Sequence, residues 1–189
     1  MIYKGNQKIE DIYIGNTKIE SVYKGSTQVY SSKLPAGQII FESSTAGTYT
    51  IIIPKTQTYH IDLVGGGGGG FRETISSKRT GGSSAYIYGD VVIEKGTYTL
   101  VIGSGGRGGS FSGSSATNGT DSSFLGNISG KGYAAENNNG AGGTASVVSS
   151  GLIGQNGKSG STAGWINGYG GGGYGESNGR SGYCKIVTA

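Results

Sequence analysis

Proline is nearly missing from this chain, with two residues in 189. That scarcity excludes a collagen triple helix, which needs abundant proline and glycine at every third position. Cysteine occurs once, as Cys184, so there is no intrachain disulfide framework. His60, Trp165 and the initial methionine are also the sole residues of their kinds. No apolar run approaches the ~20 residues of a helical membrane span. The opening MIYKGNQKIE lacks the apolar core of a signal peptide. The chain is therefore expected to be made in the cytosol, not to insert into a membrane, and not to leave by the usual export route on its own. Charge is sparse too, at 14% of residues with a net +4. Lysine and arginine are scattered, and the closest thing to a cluster is Arg72, Lys78 and Arg79. Nucleic-acid binding calls for a basic stripe or patch, so no nucleic-acid partner is expected.

Glycine is what the chain has instead: 41 residues, where an average usage of about 7% would give roughly 13. Glycine- and serine-rich chains without a period are often disordered. Thirteen tyrosines and several β-branched runs point the other way, to an ordered, strand-based protein.

Three repeats open the sequence: YKGNQKIEDI (3–12), YIGNTKIESV (13–22) and YKGSTQVYSS (23–32). Tyr3, Tyr13 and Tyr23 are in step, with Gly5, Gly15 and Gly25 two residues later. Each repeat reads as two brief strands around a G-N or G-S turn. One such unit cannot bury its own apolar face, so it must stack on neighbours or on another chain. Residues 1–34 are read as an attachment or oligomerisation segment. Pro35 and Gly37 mark the boundary to a second unit, 35–189.

Beyond the boundary, strands are predicted at 38–42, 47–53, 59–64, 84–94, 96–102, 144–148 and 183–187. GTYTIII (47–53) and GTYTLVI (96–102) are near-copies, read as equivalent or paired strands of one sandwich. No segment sustains a 3.6-residue apolar period, so helix is expected to be scarce. Between the strands lie GGGGGG (65–70), GSGGRGG (103–109), GAGG (140–143), GQNGKSG (154–160) and GYGGGGYG (168–175). Gly154, Gly157 and Gly160 recur at every third residue, the period of a polyproline-II helix. Glycine helices of that type can lie side by side, because no Cβ keeps their backbones apart. Their N–H and C=O groups can then pair between rods, as buried backbone requires. On that reading the hexaglycine is one rod in a packed lattice.

Little in the sequence promises catalysis. GSGGRG (103–108) fits G-x-G-x-x-G after a strand, but the turn-rich GSFSGSSATNG follows where a dinucleotide site needs a helix. GQNGKS lacks the first glycine of a phosphate loop, which falls at Leu152. His60 and Asp62 share a strand face, yet no G-x-S-x-G elbow supplies a nucleophile. Cys184, in YCKIV, reads as a small buried hydrophobe. A depolymerase would need paired acids in a groove, and only Asp90 with Glu94 or Asp121 with Glu136 offers itself. The chain is read as a non-enzyme with no cofactor and no metal. Surface chemistry remains. Phe71, Arg72, Phe111, Tyr133, Trp165, Tyr169 and Tyr174 lie in or beside the glycine segments among small polar residues. That composition suits adaptable binding loops, so these seven are the candidate receptor-binding residues.

The order GTYTIIIP, apolar strand, GGGGGG, GTYTLVIGSGGRGG, GYGGGGYG and GYCKIV resembles the glycine-rich domain of bacteriophage tail-fibre tips and adhesins. It is also similar to the extracellular glycine-rich domain of anaplastic-lymphoma-kinase-type receptors. The likeness covers about residues 38–189. It implies an all-β fold, a jelly-roll-like β-sandwich joined to a polyglycine-II bundle. The opening repeats are similar to segments of phage structural proteins, which favours the viral reading. The resemblance implies a short fibre or fibre tip of a virion, made in the host cytoplasm and released by lysis. It implies a homotrimer held to other virion proteins through residues 1–34. Specificity would lie in loops at 71–80, 110–124, 131–139 and 161–169, directed at a bacterial surface glycan or envelope protein. The alternative is a structural capsid or tail decoration without receptor binding.

Overall fold

A computed structural model describes residues 3–4, 7–8 and 12–189. The three repeats are three hairpins: β1 (Tyr3–Lys4) with β2 (Gln7–Lys8), β3 (Ile12–Ile14) with β4 (Thr17–Ile19), and β5 (Ser21–Lys24) with β6 (Thr27–Ser31). In the second and third, Gly15 (φ 59°) and Gly25 (φ 64°) take the first central position of a two-residue turn. A positive φ there is the type II′ arrangement, which demands glycine and matches strand twist. Gly5 and the rest of the first repeat lie outside the described residues.

The remaining strands are β7 (Ile39–Ser43), β8 (Gly47–Ile53), β9 (Gln57–Val64), β10 (Phe71–Arg72), β11 (Lys78–Arg79), β12 (Tyr86–Ile93) and β13 (Gly96–Ile102). After them come β14 (Gly109–Ser110), β15 (Ser122–Phe124), β16 (Asn127–Ser129), β17 (Ala145–Ser146), β18 (Leu152–Gln155) and β19 (Tyr183–Thr188). Two five-stranded antiparallel sheets form, in the orders β18-β12-β9-β19-β7 and β17-β16-β15-β13-β8. Alternating residues of both close one core: Ile51, Ile53, Leu100, Ile102 and Phe124 from one sheet meet Tyr59, Ile61, Leu63, Ile87 and Ile186 from the other. The fold is an all-β sandwich. Among the described residues, helix is limited to one 3-10 turn at Ile166–Gly168.

The near-copies pair with each other, β8 antiparallel to β13, with Gly47 opposite Ile102 and Gly96 opposite Ile53. The tyrosine they share has a common task. Tyr49 Oη donates to the Thr45 carbonyl (2.7 Å), and Tyr98 Oη donates to that of Glu94 (2.9 Å). Buried Tyr59 does the same to Lys55 (2.7 Å). Each phenol thus pins the loop that feeds its own strand.

The expected strand at 144–148 shrinks to Ala145–Ser146, because Val148 and Ser149 give their N–H groups to the Asn127 side chain instead of a ladder. Strands β15, β16 and β18 were not anticipated. Their turn at Leu125 (φ 53°) and Gly126 (φ 76°) puts a leucine in the left-handed region. Leu125 also packs against the core, which offsets the strain.

At the end of β9 the chain becomes a rod. Gly66 and Gly69 donate to Thr120 and Thr117, Gly67 and Gly70 to Arg180 and Ser177, and Gly68 to Gly82. Returning bonds reach Gly66 and Gly69 from Gly132 and Ala135, Gly67 and Gly70 from Gly106 and Gly109, and Gly68 from Gly173. Residues three apart therefore face the same neighbour, the periodicity of polyproline-II geometry. The hexaglycine is the central rod, with six neighbouring segments around it. A Cβ on any of its glycines would lie closer than 3.0 Å to backbone of another rod.

The outer rods need glycine only where they press on another rod's backbone, so four of them carry mixed sequence. Gly81, Gly119, Gly132 and Gly179 are their inward positions, where a Cβ would lie closer than 3.0 Å to hexaglycine backbone. One expected rod is corrected in part. Gly154 lies in β18 opposite Ile87, and the rod holds Gly157 and Gly160, bonded to Gly143 and Gly140.

The opposite end of β9 receives the hairpin segment. Leu34 N–H donates to Gln57 Oε1 (2.7 Å), Lys55 Nζ to the Ser31 carbonyl (2.5 Å), and Thr188 Oγ1 to that of Pro35 (2.5 Å). One continuous stretch, β9 and the hexaglycine, so reaches from the hairpin end to the far tip. At strand and polyproline-II rises, its length is about 45 Å.

Candidate functional site

Where the central rod ends, Phe71 and Arg72 begin a small sheet. β10 lies between β11, antiparallel, and β14, parallel, so Phe71 stands between Arg79 and Gly109. Phe111 follows β14, donates its N–H to the Arg72 carbonyl (3.0 Å), and leaves its ring 65% exposed. Tyr174 bridges to Thr80, with Lys78 Nζ 5.6 Å from its ring centre. Arg72 pairs with Glu176 at 3.6 Å and Arg79 with Glu73 at 2.5 Å. Hydrogen bonds from Arg79 and Ser77, then the Arg79 charge, hold the Glu73 carboxyl below its ordinary value. Ile75 projects from the 73–77 turn, almost fully exposed. Arg79 Nε is buried without a hydrogen-bond partner, alone in this among the side-chain atoms of the described residues. The tip thus brings exposed aromatic and aliphatic groups together with cations and carboxylates. Four of the seven sequence candidates meet here: Phe71, Arg72, Phe111 and Tyr174.

Tyr133 lies elsewhere, on the flank of the bundle. It is half-exposed, with Lys131 Nζ 6.0 Å from its ring centre. Trp165 and Tyr169 lie nearer the sandwich. Trp165 Nε1 donates to the Ser84 carbonyl (2.8 Å), and its ring packs 5.3 Å from Tyr86, which stacks on Tyr88. Tyr169 stacks on Tyr183 at 4.8 Å. Tyr86 Oη donates to Asp62 (2.5 Å) and Tyr183 Oη to Glu42 (2.7 Å). Burial, then those carboxylates, push both phenols far above their ordinary range.

His60, Cys184 and Asp121, weighed for catalysis, are engaged in structure. His60 Nδ1 lies 2.6 Å from Asp90, with Nε2 3.8 Å from Asp62, on the outer face of the sheet. Cys184 is fully buried, and burial followed by the Asp62 charge raises its thiol well above its ordinary value. Asp121 accepts the Lys131 N–H at 2.8 Å. The GSGGRG segment is a rod, and its N–H groups serve the lattice. Gly103 donates to Ser122, Ser104 to Thr120, Gly106 to Gly67, Arg107 to Thr117, and Gly108 to Asn178.

A groove of about 650 Å³ opens between residues 116–118 and 133–141, lined by four asparagines. Its walls come from two of the expected specificity loops, 110–124 and 131–139, and include Tyr133; that the two loops lie side by side was not read from the sequence.

Among curated proteins no significant match to the chain is found. A family model described as glycine-rich domain matches residues 43–185, from the end of β7 to within β19. The match takes in the sandwich, the bundle and the tip together, and the chain belongs to this glycine-rich domain family.

Proposed function

We propose that this chain is a non-enzymatic phage virion protein, a short fibre or fibre tip, that binds a receptor on the bacterial surface. The observation that carries the reading is the polarity of the molecule. The repeat hairpins join one end of β9, and the exposed Phe111, Ile75 and Tyr174 stand at the other end of the rod that continues it. Three exposed apolar side chains on the hairpins, Tyr13, Ile14 and Tyr23, suit association with further copies or with other virion proteins. We assign residues 1–34 that role, with a homotrimer as the assembly. The tip loops take the receptor, a surface glycan or an envelope protein.

Fluorescently labelled full chain, offered to a panel of bacterial strains, tests the proposal. Selective binding is expected, weakened about tenfold or more by Phe111→Ala with Arg72→Glu, since few residues carry most interface energy. Absence of binding to every strain, with the oligomer intact, would leave the structural decoration as the better reading.

A further inference from the structure

The flank groove is a second site, apart from the tip, and its role on the cell surface rests on the receptor reading. We infer that this groove binds a neutral oligosaccharide. Its floor and walls are fixed by the lattice. Rod residues 115–120 and 130–135 both bond to the hexaglycine, and the latter returns through Asn137–Asn139 to the rod at 140–143. Its volume of about 650 Å³ lies inside the roughly 300–1,000 Å³ typical of ligand sites.

The lining polar groups are held in place but not used up. Asn118 Oδ1 accepts the Ala134 N–H (2.7 Å), and Asn139 Oδ1 accepts the Thr80 N–H (3.0 Å). Those bonds fix both amide orientations and leave the two Nδ2 groups without acceptors among the described residues. The side chains of Asn137, Asn138 and Glu136, and the Tyr133 hydroxyl, have no hydrogen-bond partner among the described residues. A groove that holds this many uncommitted donors and acceptors between two lattice-bound segments offers a polar ligand many partners.

The chemistry selects among polar ligands. A pyranose offers hydroxyls that both donate and accept, and an apolar C–H face. Amides match the first because each carries an acceptor oxygen and two donor hydrogens. Tyr133, with its half-exposed ring, matches the second. Glu136 is the single charged lining residue, and it accepts from hydroxyls while repelling anions. No cation is among the lining residues, and Lys131 beside them has its Nζ 6.0 Å from the Tyr133 ring centre, so Glu136 sets the charge of the groove itself and disfavours phosphate and acidic sugars. The other lining residues are alanine, glycine and threonine, too small to make an apolar wall for a lipid or a hydrophobic peptide.

The test is an array of immobilised neutral oligosaccharides built from hexoses, deoxyhexoses and N-acetylhexosamines, beside sialylated and phosphorylated counterparts. The full chain is applied first, and retained sugars are then titrated by calorimetry. We expect at least one neutral sugar, and no acidic one, to be retained. Its affinity is expected to fall about tenfold or more in Tyr133→Ala and in Asn137→Ala with Asn138→Ala, at unchanged melting temperature. These side chains form no hydrogen bonds among the described residues, so a loss of folding is not expected to confuse the result. Retention of no sugar, or retention equal in all variants, would overturn the inference. Cell binding that survives both groove variants would also overturn it while leaving the receptor reading intact. A full chain that binds sugar on the array but no cell would do the reverse.

Discussion

Gly68→Ala is expected to lower the melting temperature by roughly 6–12 °C. Gly68 lies in the middle of the central rod, donating to Gly82 and accepting from Gly173. An added Cβ would lie closer than 3.0 Å to the carbonyl of Tyr133 and the nitrogen of Ala134. Those are backbone atoms of a rod that is itself bonded on other sides, so neither can swing away as a side-chain tip would. Overpacking of a tight interior costs about 1–3 kcal/mol, and an unyielding backbone neighbour puts this site at about 3 kcal/mol. For a chain of this length each kcal/mol is worth roughly 2–4 °C. Gly113→Ala is the matched control. It occupies the exposed tip turn, where the added carbon would meet only the Ser110 hydroxyl at 3.2 Å. That variant is expected to melt within a degree or two of the parent, by the ordinary tolerance of surface positions. Thermal denaturation of the pair separates a lattice requirement from a general cost of removing glycine. Equal melting of both variants would mean that the rods are not closely packed.

Loss of either serine at the junction is the second large effect. Ser129 Oγ accepts the Gly65 N–H (2.9 Å) and donates to the Ala85 carbonyl (2.7 Å). Ser122 Oγ accepts the Gly103 N–H (2.9 Å) and donates to the Val64 carbonyl (2.7 Å). Both are fully buried, at the point where β9 and β13 leave their sheets and become rods. At such a transition the ladder partner is gone before a rod partner arrives, and each hydroxyl bridges the gap. Ser122→Ala takes the side-chain partner from both the Gly103 N–H and the Val64 carbonyl, whereas Ser129→Ala orphans the Gly65 N–H alone, since the Ala85 carbonyl still accepts from Ser84 Oγ (3.1 Å). At about 1–3 kcal/mol per orphaned group, chemical denaturation is expected to show a loss of about 2–6 kcal/mol for Ser122→Ala and about 1–3 kcal/mol for Ser129→Ala. A loss below about 0.5 kcal/mol, the size of a neutral surface change, would show that the junction is held by other means.

The two devices differ in how far sequence alone discloses them. The hexaglycine could be read as a rod because only glycine has no Cβ to hold backbones apart, and a run of it is otherwise costly to order. The near-identical GTYT motifs announced equivalent or paired strands, and they pair with each other. Four of the outer rods stayed hidden. In GKGYAA or SNGRSG the constrained inward glycines, Gly132 and Gly179, stand among ordinary residues and form no run. Serine 122 and serine 129 were equally silent, since a serine that bridges two backbone groups looks like any other in sequence. Four of the seven surface candidates converge because Phe71, Arg72, Phe111 and Tyr174 follow rods that end together at one tip. Trp165 and Tyr169 were placed by stacking on Tyr86 and Tyr183, residues 79 and 14 positions away, which no local pattern reports.

The whole functional account rests on the orientation of the molecule, tip outward and hairpins at the anchored end. Thiol footprinting on cells measures that orientation, and the chain is well suited to it because buried Cys184 is shielded from reagent. A single cysteine is introduced at the exposed tip turn, as Ser112→Cys, or on the hairpin segment, as Lys24→Cys, and each protein is allowed to bind a susceptible strain before a maleimide pulse. The tip thiol is expected to be protected by the cell and the hairpin thiol to label as it does in free solution. Protection of the hairpin thiol with free labelling of the tip would contradict the account.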